Sequence, residues 1–165
     1  MKPEVAYGDF AELANEGKFD ILVNFTNCQC KIENTIGIQL VELWPSIQEV
    51  DNSPEKLNKL GTISRVTISH NNTEIVAANC YVKSKEVDQF MFPAMELCLF
   101  KVNVLAGIQL KKFGKCKVAI PKLANPMWPY YLATFTKYIT NGTIVIVDPV
   151  VKKSLIQNFM NNEAK

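Results

Sequence analysis

Histidine is nearly missing from this chain: His70 is the single one among 165 residues. His-rich metal sites and most Ser-His-Asp arrangements therefore lack their parts, and neither a metal nor a cofactor is expected. Charge of one sign is also lacking. With 18 Lys+Arg against 16 Asp+Glu the net charge is +2, well short of the basic excess that phosphate-backbone binding requires, so nucleic acid is not the expected partner. No run approaches the roughly 18 consecutive apolar residues of a membrane span. The opening MKPEVAYGDF has no apolar signal core, so a cytoplasmic location is expected, with no membrane partner. The five cysteines are odd in number, and Cys28-Gln29-Cys30 lacks the two-residue gap of a zinc or thioredoxin motif. They read as reduced thiols.

What is present suits one globular domain over residues 1–165. Hydrophobic residues make up 48% of the chain and mean hydropathy is +0.02, and a chain of this size buries on the order of 70% of its unfolded surface without disulfide or metal staples. Short β-branched runs at Pro3–Tyr7, Asp20–Asn24, Thr62–Ser69, Glu74–Cys80, Lys117–Ile120 and Thr143–Val147 read as strands. Three of them contain continuous apolar runs (Ile21-Leu22-Val23, Val118-Ala119-Ile120, Ile144–Val147), as strands covered on both faces do. Helical patterns lie at Phe10–Glu16, Ile36–Val50, Val87–Lys112, Met127–Thr140 and Pro149–Asn161, with breaks expected at Pro45 and Pro93 and a helix C-cap at Asn141-Gly142. The polar stretch around Asn71-Asn72 predicts an antiparallel hairpin whose turn holds an exposed His70. The fold class that follows is α/β: a three-layer sandwich around a mixed, mostly parallel sheet of about six strands.

In such sheets ligands lie beyond the carboxyl ends of the strands. Three loops qualify: Asn24-Phe25-Thr26-Asn27-Cys28, Asn79-Cys80-Tyr81-Val82-Lys83 and Lys122-Leu123-Ala124-Asn125-Pro126. Amides in such loops also serve simply to satisfy backbone groups. Tyr130-Tyr131 and Phe90-Met91-Phe92 are expected to pack in the core, although aromatics at a cleft also stack on ligands. Trp44 and Trp128 fit buried positions at helix ends.

Tyr7-Gly8-Asp9-Phe10, followed by Phe19-Asp20-Ile21-Leu22-Val23-Asn24-Phe25-Thr26-Asn27, resembles the start of a macro domain. The likeness continues through Ile36 and Leu40 to Trp44-Pro45, similar to the branch holding ADP-ribose-1″-phosphate phosphatases and small ADP-ribosyl-hydrolases. Ile75–Tyr81, Val118–Lys122 and Trp128 then follow in the family's order. The resemblance implies an ADP-ribose-like ligand. Asp9 would accept a hydrogen bond from the adenine amino group, with Phe10 giving backbone contact. Asn27 would touch the distal ribose, and Asn24 would orient the loop. The diphosphate would lie along Glu33, Thr35, Ile36 and Gly37 on one side and Pro121, Lys122, Leu123 and Asn125 on the other.

The chain departs from the family at both phosphate loops. Glu33 and Thr35 stand where glycines are expected, and the segment from Pro121 to Trp128 has no glycine. A carboxylate beside a diphosphate repels it, while Lys122 would offer a point charge in place of backbone donors. For catalysis the resemblance leaves Asn27 to position water and Lys83 or Asp9 to assist. Three functions stay open at this stage. One is a reader or sponge for an ADP-ribose-type nucleotide, similar to small macro-like proteins of tailed bacteriophages that would oppose host defence from the host cytoplasm. The second is a hydrolase or phosphatase acting on ADP-ribose derivatives, and the third a protein-interaction module without nucleotide.

Overall fold

The computed structural model describes residues 2–30, 32–51, 59–84 and 90–149. In chain order the elements are β1 (Glu4–Tyr7), α1 (Phe10–Asn15), β2 (Ile21–Asn27), α2 (Thr35–Leu43), α3 (Ser46–Glu49), β3 (Ile63–His70), β4 (Thr73–Lys83), α4 (Phe92–Phe113), β5 (Lys117–Pro121), α5 (Trp128–Tyr138) and β6 (Thr143–Asp148). The strands form one sheet in the order β1-β6-β5-β2-β4-β3. All neighbours run parallel except β3 and β4. This is the expected mixed, mostly parallel sheet.

The alternation of side chains along each strand builds two cores. Ile21, Val23 and Phe25 of β2 face Met95, Leu99 and Val102 of α4 and Phe135 of α5. Leu22 on the opposite face joins Phe10 and Ala14 of α1, Leu40 of α2 and Ile47 of α3. β2 lies between β5 and β4 and is buried on both faces, which is why its sequence reads as a continuous apolar run. Fully burying one such side chain contributes about 1.5–3 kcal/mol. α4 is long and apolar enough to cross a membrane by length and composition; one flank packs on the sheet, while Leu97, Phe100, Val104 and Ile108 point outward.

Three local expectations are corrected. Pro93 does not break α4. Residues 85–89 lie outside the described residues, and α4 starts at Phe92, which places Pro93 in its first turn, where a missing N–H costs nothing. Asn141-Gly142 does not cap α5. The helix ends at Tyr138 with Ile139 as its C-cap, and the amide of Asn103 on α4 accepts hydrogen bonds from the backbone of Thr140 and Asn141, both at 2.8 Å. Gly142 is needed for close approach, since a Cβ there would stand 3.0 Å from the Cys116 carbonyl. His70, finally, is the last residue of β3 and not part of the turn. The turn is Asn71-Asn72, both at positive φ, and the imidazole rests 2.8 Å from the Asn15 carbonyl and edge-on to Trp44. Because β4 begins there and runs parallel to β2, His70 lies at the end of the sheet opposite the strand carboxyl ends. Beyond Pro149, the helix expected up to Asn161 falls outside the described residues. Pro45 does separate α2 from α3, as expected, and Trp44 and Trp128 are half-buried.

Candidate functional site

A chain of amides joins β2 and β4 to the start of α2. Asn24 and Asn79 are register partners on β2 and β4, only 2% and 1% exposed. The Asn24 Nδ2 donates to Asn79 Oδ1 at 3.0 Å, and Asn79 Nδ2 donates to the Ile47 carbonyl at 3.0 Å and to Ser64 Oγ at 3.3 Å. On the other side, Asn34 Nδ2 donates to Asn24 Oδ1 at 3.2 Å and to the Phe25 carbonyl at 3.3 Å, and Asn34 Oδ1 accepts from Gly37 N at 2.7 Å. A backbone donor closes one end of this chain and a backbone acceptor the other. Only one orientation of all three amides satisfies both, so the network fixes its own direction.

Its product is a held helix N-terminus. Asn34 is the N-cap of α2, with the extended backbone that caps adopt. Gly37 makes the fit possible, since a Cβ there would stand 2.3 Å from Ile32 Cγ2 and 2.9 Å from Asn34 Nδ2. The N–H groups of Thr35 and Ile36 have no hydrogen-bond partner among the described residues. Such a terminus favours an anion.

Two adjoining cavities occupy this end of the sheet. The smaller, about 230 Å³, is lined by Asn24, Phe25, Asn34, Thr35, Ile36, Lys83, Phe90, Pro121 and Leu123. The larger, about 450 Å³, is lined by Lys83, Phe90, Phe92, Asn125, Pro126, Met127 and Tyr131. They share Lys83 and Phe90, and the Lys83 ammonium lies 5.2 Å from the centre of the Phe90 ring. Phe92 stacks on Tyr131 at 5.1 Å. One cavity therefore offers helix-end donors, and the other an aromatic wall with one cation.

The structure thus gathers Asn24, Thr35, Ile36, Lys83, Pro121, Leu123 and Asn125 around connected cavities. The remaining candidates are engaged elsewhere. Asp9 caps α1, accepting from Glu12 N at 2.9 Å and from Gln39 Nε2 at 3.2 Å, and Phe10 is buried in the core beneath it. A register shift between Thr26 and Asn27 sets Asn27 opposite Lys83, but its Oδ1 accepts from Gln29 N at 2.9 Å. Glu33 is exposed and does not line either cavity. The N–H of Gly37 is taken by Asn34. Lys122 does not reach toward the cavities: its Nζ pairs with Asp148 at the end of β6. The Cys28 thiol is pushed up chiefly by burial and also by the Cys30 and Cys98 thiols, with Lys59 opposing, which disfavours a nucleophilic role.

Sequence reasoning missed Asn34 and Met127, and weighed Phe90, Phe92 and Tyr131 as ligand-stacking residues only as the lesser alternative to core packing. Asn34 carried a legible signal, since asparagine directly before a helical pattern is a preferred N-cap. The aromatic residues gave no signal that decides between the two, because core packing and cavity lining draw on the same residue types.

No protein-family model and no curated protein matches the sequence. Solved structures do match in fold. The macrodomain of Thermus aquaticus DarG superposes with a TM-score of 0.61 at 14% identity, over 89% of this chain and 99% of that one. A macrodomain protein from Streptomyces coelicolor gives 0.63 at 15% identity, over 88% and 98%. Thermosipho africanus DarTG, solved in complex with ADP-ribose, gives 0.61 at 13% identity, over 92% of this chain and 43% of the longer one. The chain has the macrodomain fold.

Proposed function

We propose that the connected cavities bind a nucleotide of the ADP-ribose type, with the diphosphate at the N-terminus of α2, and that the protein is a reader or sponge that does not turn the ligand over. The observation that carries this reading is the pair of N–H groups of Thr35 and Ile36 that have no partner among the described residues, at a cavity that no carboxylate of the described residues lines. The fold shared with the ADP-ribose complex of Thermosipho DarTG supports the choice of ligand. The absence of turnover follows from the chemistry of the lining. Among the described residues that line the two cavities, Lys83 and Tyr131 are the only titratable ones, so none of these offers a carboxylate or imidazole for general acid or base work. The resemblance to phage macro-like proteins extends the proposal to capture of a nucleotide signal in the cytoplasm, the host's if the chain is viral.

Thermal-shift measurements with ADP-ribose, ADP-ribose-1″-phosphate, NAD and AMP test the reading, alongside product analysis by chromatography. Ligand at 100 times its Kd adds about 2.7 kcal/mol, which raises Tm by several degrees. The expected result is a shift with a diphosphate-containing ligand and no product. Absence of any shift would remove the proposal, and release of ribose or phosphate would replace the reader with an enzyme.

A further inference from the structure

A second polar cluster lies outside these cavities. Lys59 Nζ stands 2.8 Å from Cys30 Sγ, a spacing usual for N–H···O and tight for the larger sulfur atom. The same ammonium is 3.5 Å from the Tyr81 hydroxyl and lies over the Tyr81 ring at 4.9 Å. Tyr81 in turn donates to Asp51 Oδ1. Asp51 is fully buried, and its Oδ2 has no hydrogen-bond partner among the described residues. Cys30 is half-buried and held at φ 58, a left-handed conformation unusual for a residue with a side chain. The cluster thus holds a reachable thiol, an amine in contact with it, and a buried carboxylate one hydroxyl away.

We propose that Cys30 and Lys59 form a reversible covalent cross-link under peroxide. In the first step the Cys30 sulfur attacks one oxygen of hydrogen peroxide, the O–O bond breaks and water leaves. Sulfur gives up two electrons to the peroxide and becomes a sulfenic acid. In the second, the Lys59 ammonium passes one proton through the Tyr81 hydroxyl to Asp51, and the freed amine attacks Sγ. The S–N bond forms as the S–O bond breaks, and hydroxide departs as water with a second proton from nitrogen. Thiol, ammonium and one peroxide thus give a sulfenamide, two waters and a proton held by Asp51. Burial raises the Asp51 pKa, which suits it to receive that proton. Excess thiol reverses the bond, restoring Cys30 and Lys59 and leaving a disulfide of the reductant.

The test uses the full chain carrying Cys28→Ser, so that a Cys28–Cys30 disulfide, which removes the same two hydrogens, cannot mimic the product. After equimolar peroxide, intact mass spectrometry is expected to show loss of two hydrogens. Tryptic mapping should show cleavage after Lys59 blocked, with the peptides of Cys30 and Lys59 joined, and dithiothreitol should restore both. Lys59→Met, which keeps an unbranched chain over Tyr81, should instead accumulate a Cys30 sulfenic acid that dimedone traps. Trypsin cleavage at Lys59 undiminished in the oxidised protein would overturn the proposal, as would equal dimedone labelling of Cys30 with and without Lys59. The trypsin readout compares the oxidised and reduced forms of one folded protein, so it stands even where Lys59→Met alters the fold.

Discussion

The Asn24 side chain donates from Nδ2 to Asn79 Oδ1 at 3.0 Å across adjacent parallel strands, with both residues all but closed to solvent. That one bond sets the polarity of every amide up to the N-cap of α2. Turning Asn24 over would set like poles face to face at both of its ends. The N-terminus of α2 is therefore positioned by buried structure beneath it.

Directionality makes two chemically similar substitutions unequal. Asn24→Asp puts a carboxylate oxygen where Asn79 Oδ1 needs a donor and buries a charge, and should cost about 3–5 kcal/mol at neutral pH. Asn34→Asp keeps an acceptor for Gly37 N and a good N-cap, losing only the donor side, and should cost about 1–2 kcal/mol. Urea unfolding of the two variants should rank them in that order. Equal costs would mean that the amide chain has no fixed direction.

Gly37→Ala tests the closeness of that packing. The added methyl meets Ile32 Cγ2 at 2.3 Å and the Asn34 amide at 2.9 Å, so either the cap or the isoleucine must move. A loss of about 1–3 kcal/mol is expected, together with weaker nucleotide binding, because the displaced cap releases α2. Equilibrium denaturation and calorimetry on one preparation would show whether the two losses travel together.

Asp51 gives stability a pH dependence of defined sign. Its folded pKa is raised above the ordinary 3.8, chiefly by burial, which outweighs the Tyr81 hydrogen bond and the Lys59 charge. The folded state therefore holds the proton to higher pH than the unfolded chain does. This group favours folding most below pH 3.8, and that contribution is lost as pH rises through the folded pKa. Asp51→Asn, which can still accept from Tyr81, should be more stable than the parent at pH 7 and nearly equal to it below about pH 4. Urea midpoints at the two pH values check the sign, and a variant less stable at pH 7 would contradict it.

Much of the fold was legible in the residues because several local signals agree. Apolar runs such as Ile21-Leu22-Val23 marked strands covered on both faces, and Asn71-Asn72 marked the antiparallel hairpin. The misread positions are those where a tertiary partner decides. Nothing local to Asn141-Gly142 reveals that Asn103 satisfies that backbone, and Pro93 suits a helix start as well as a helix break. For the site, motif order directed attention to the right strand ends, and Asn24, Thr35, Ile36 and Lys83 do meet there. It did not show that Glu33 lies outside the cavity or that Lys122 is held by Asp148. Both outcomes turn on side-chain direction, which spacing along the chain does not encode.

The central claim is that α2 receives an anion on its first free N–H groups, and Thr35→Pro tests it most directly. Proline is favoured at the first helical position, and Asn34 already has the extended backbone that a following proline requires, with φ −78 and ψ 146. The substitution thus removes one N–H donor while leaving the fold within about 0.5 kcal/mol of the parent. Isothermal titration with ADP-ribose should show binding to the parent and a loss of about tenfold or more in the variant, the worth of one hydrogen bond to a charged group. Unchanged affinity in a folded Thr35→Pro protein, or no heat with the parent, would contradict the account.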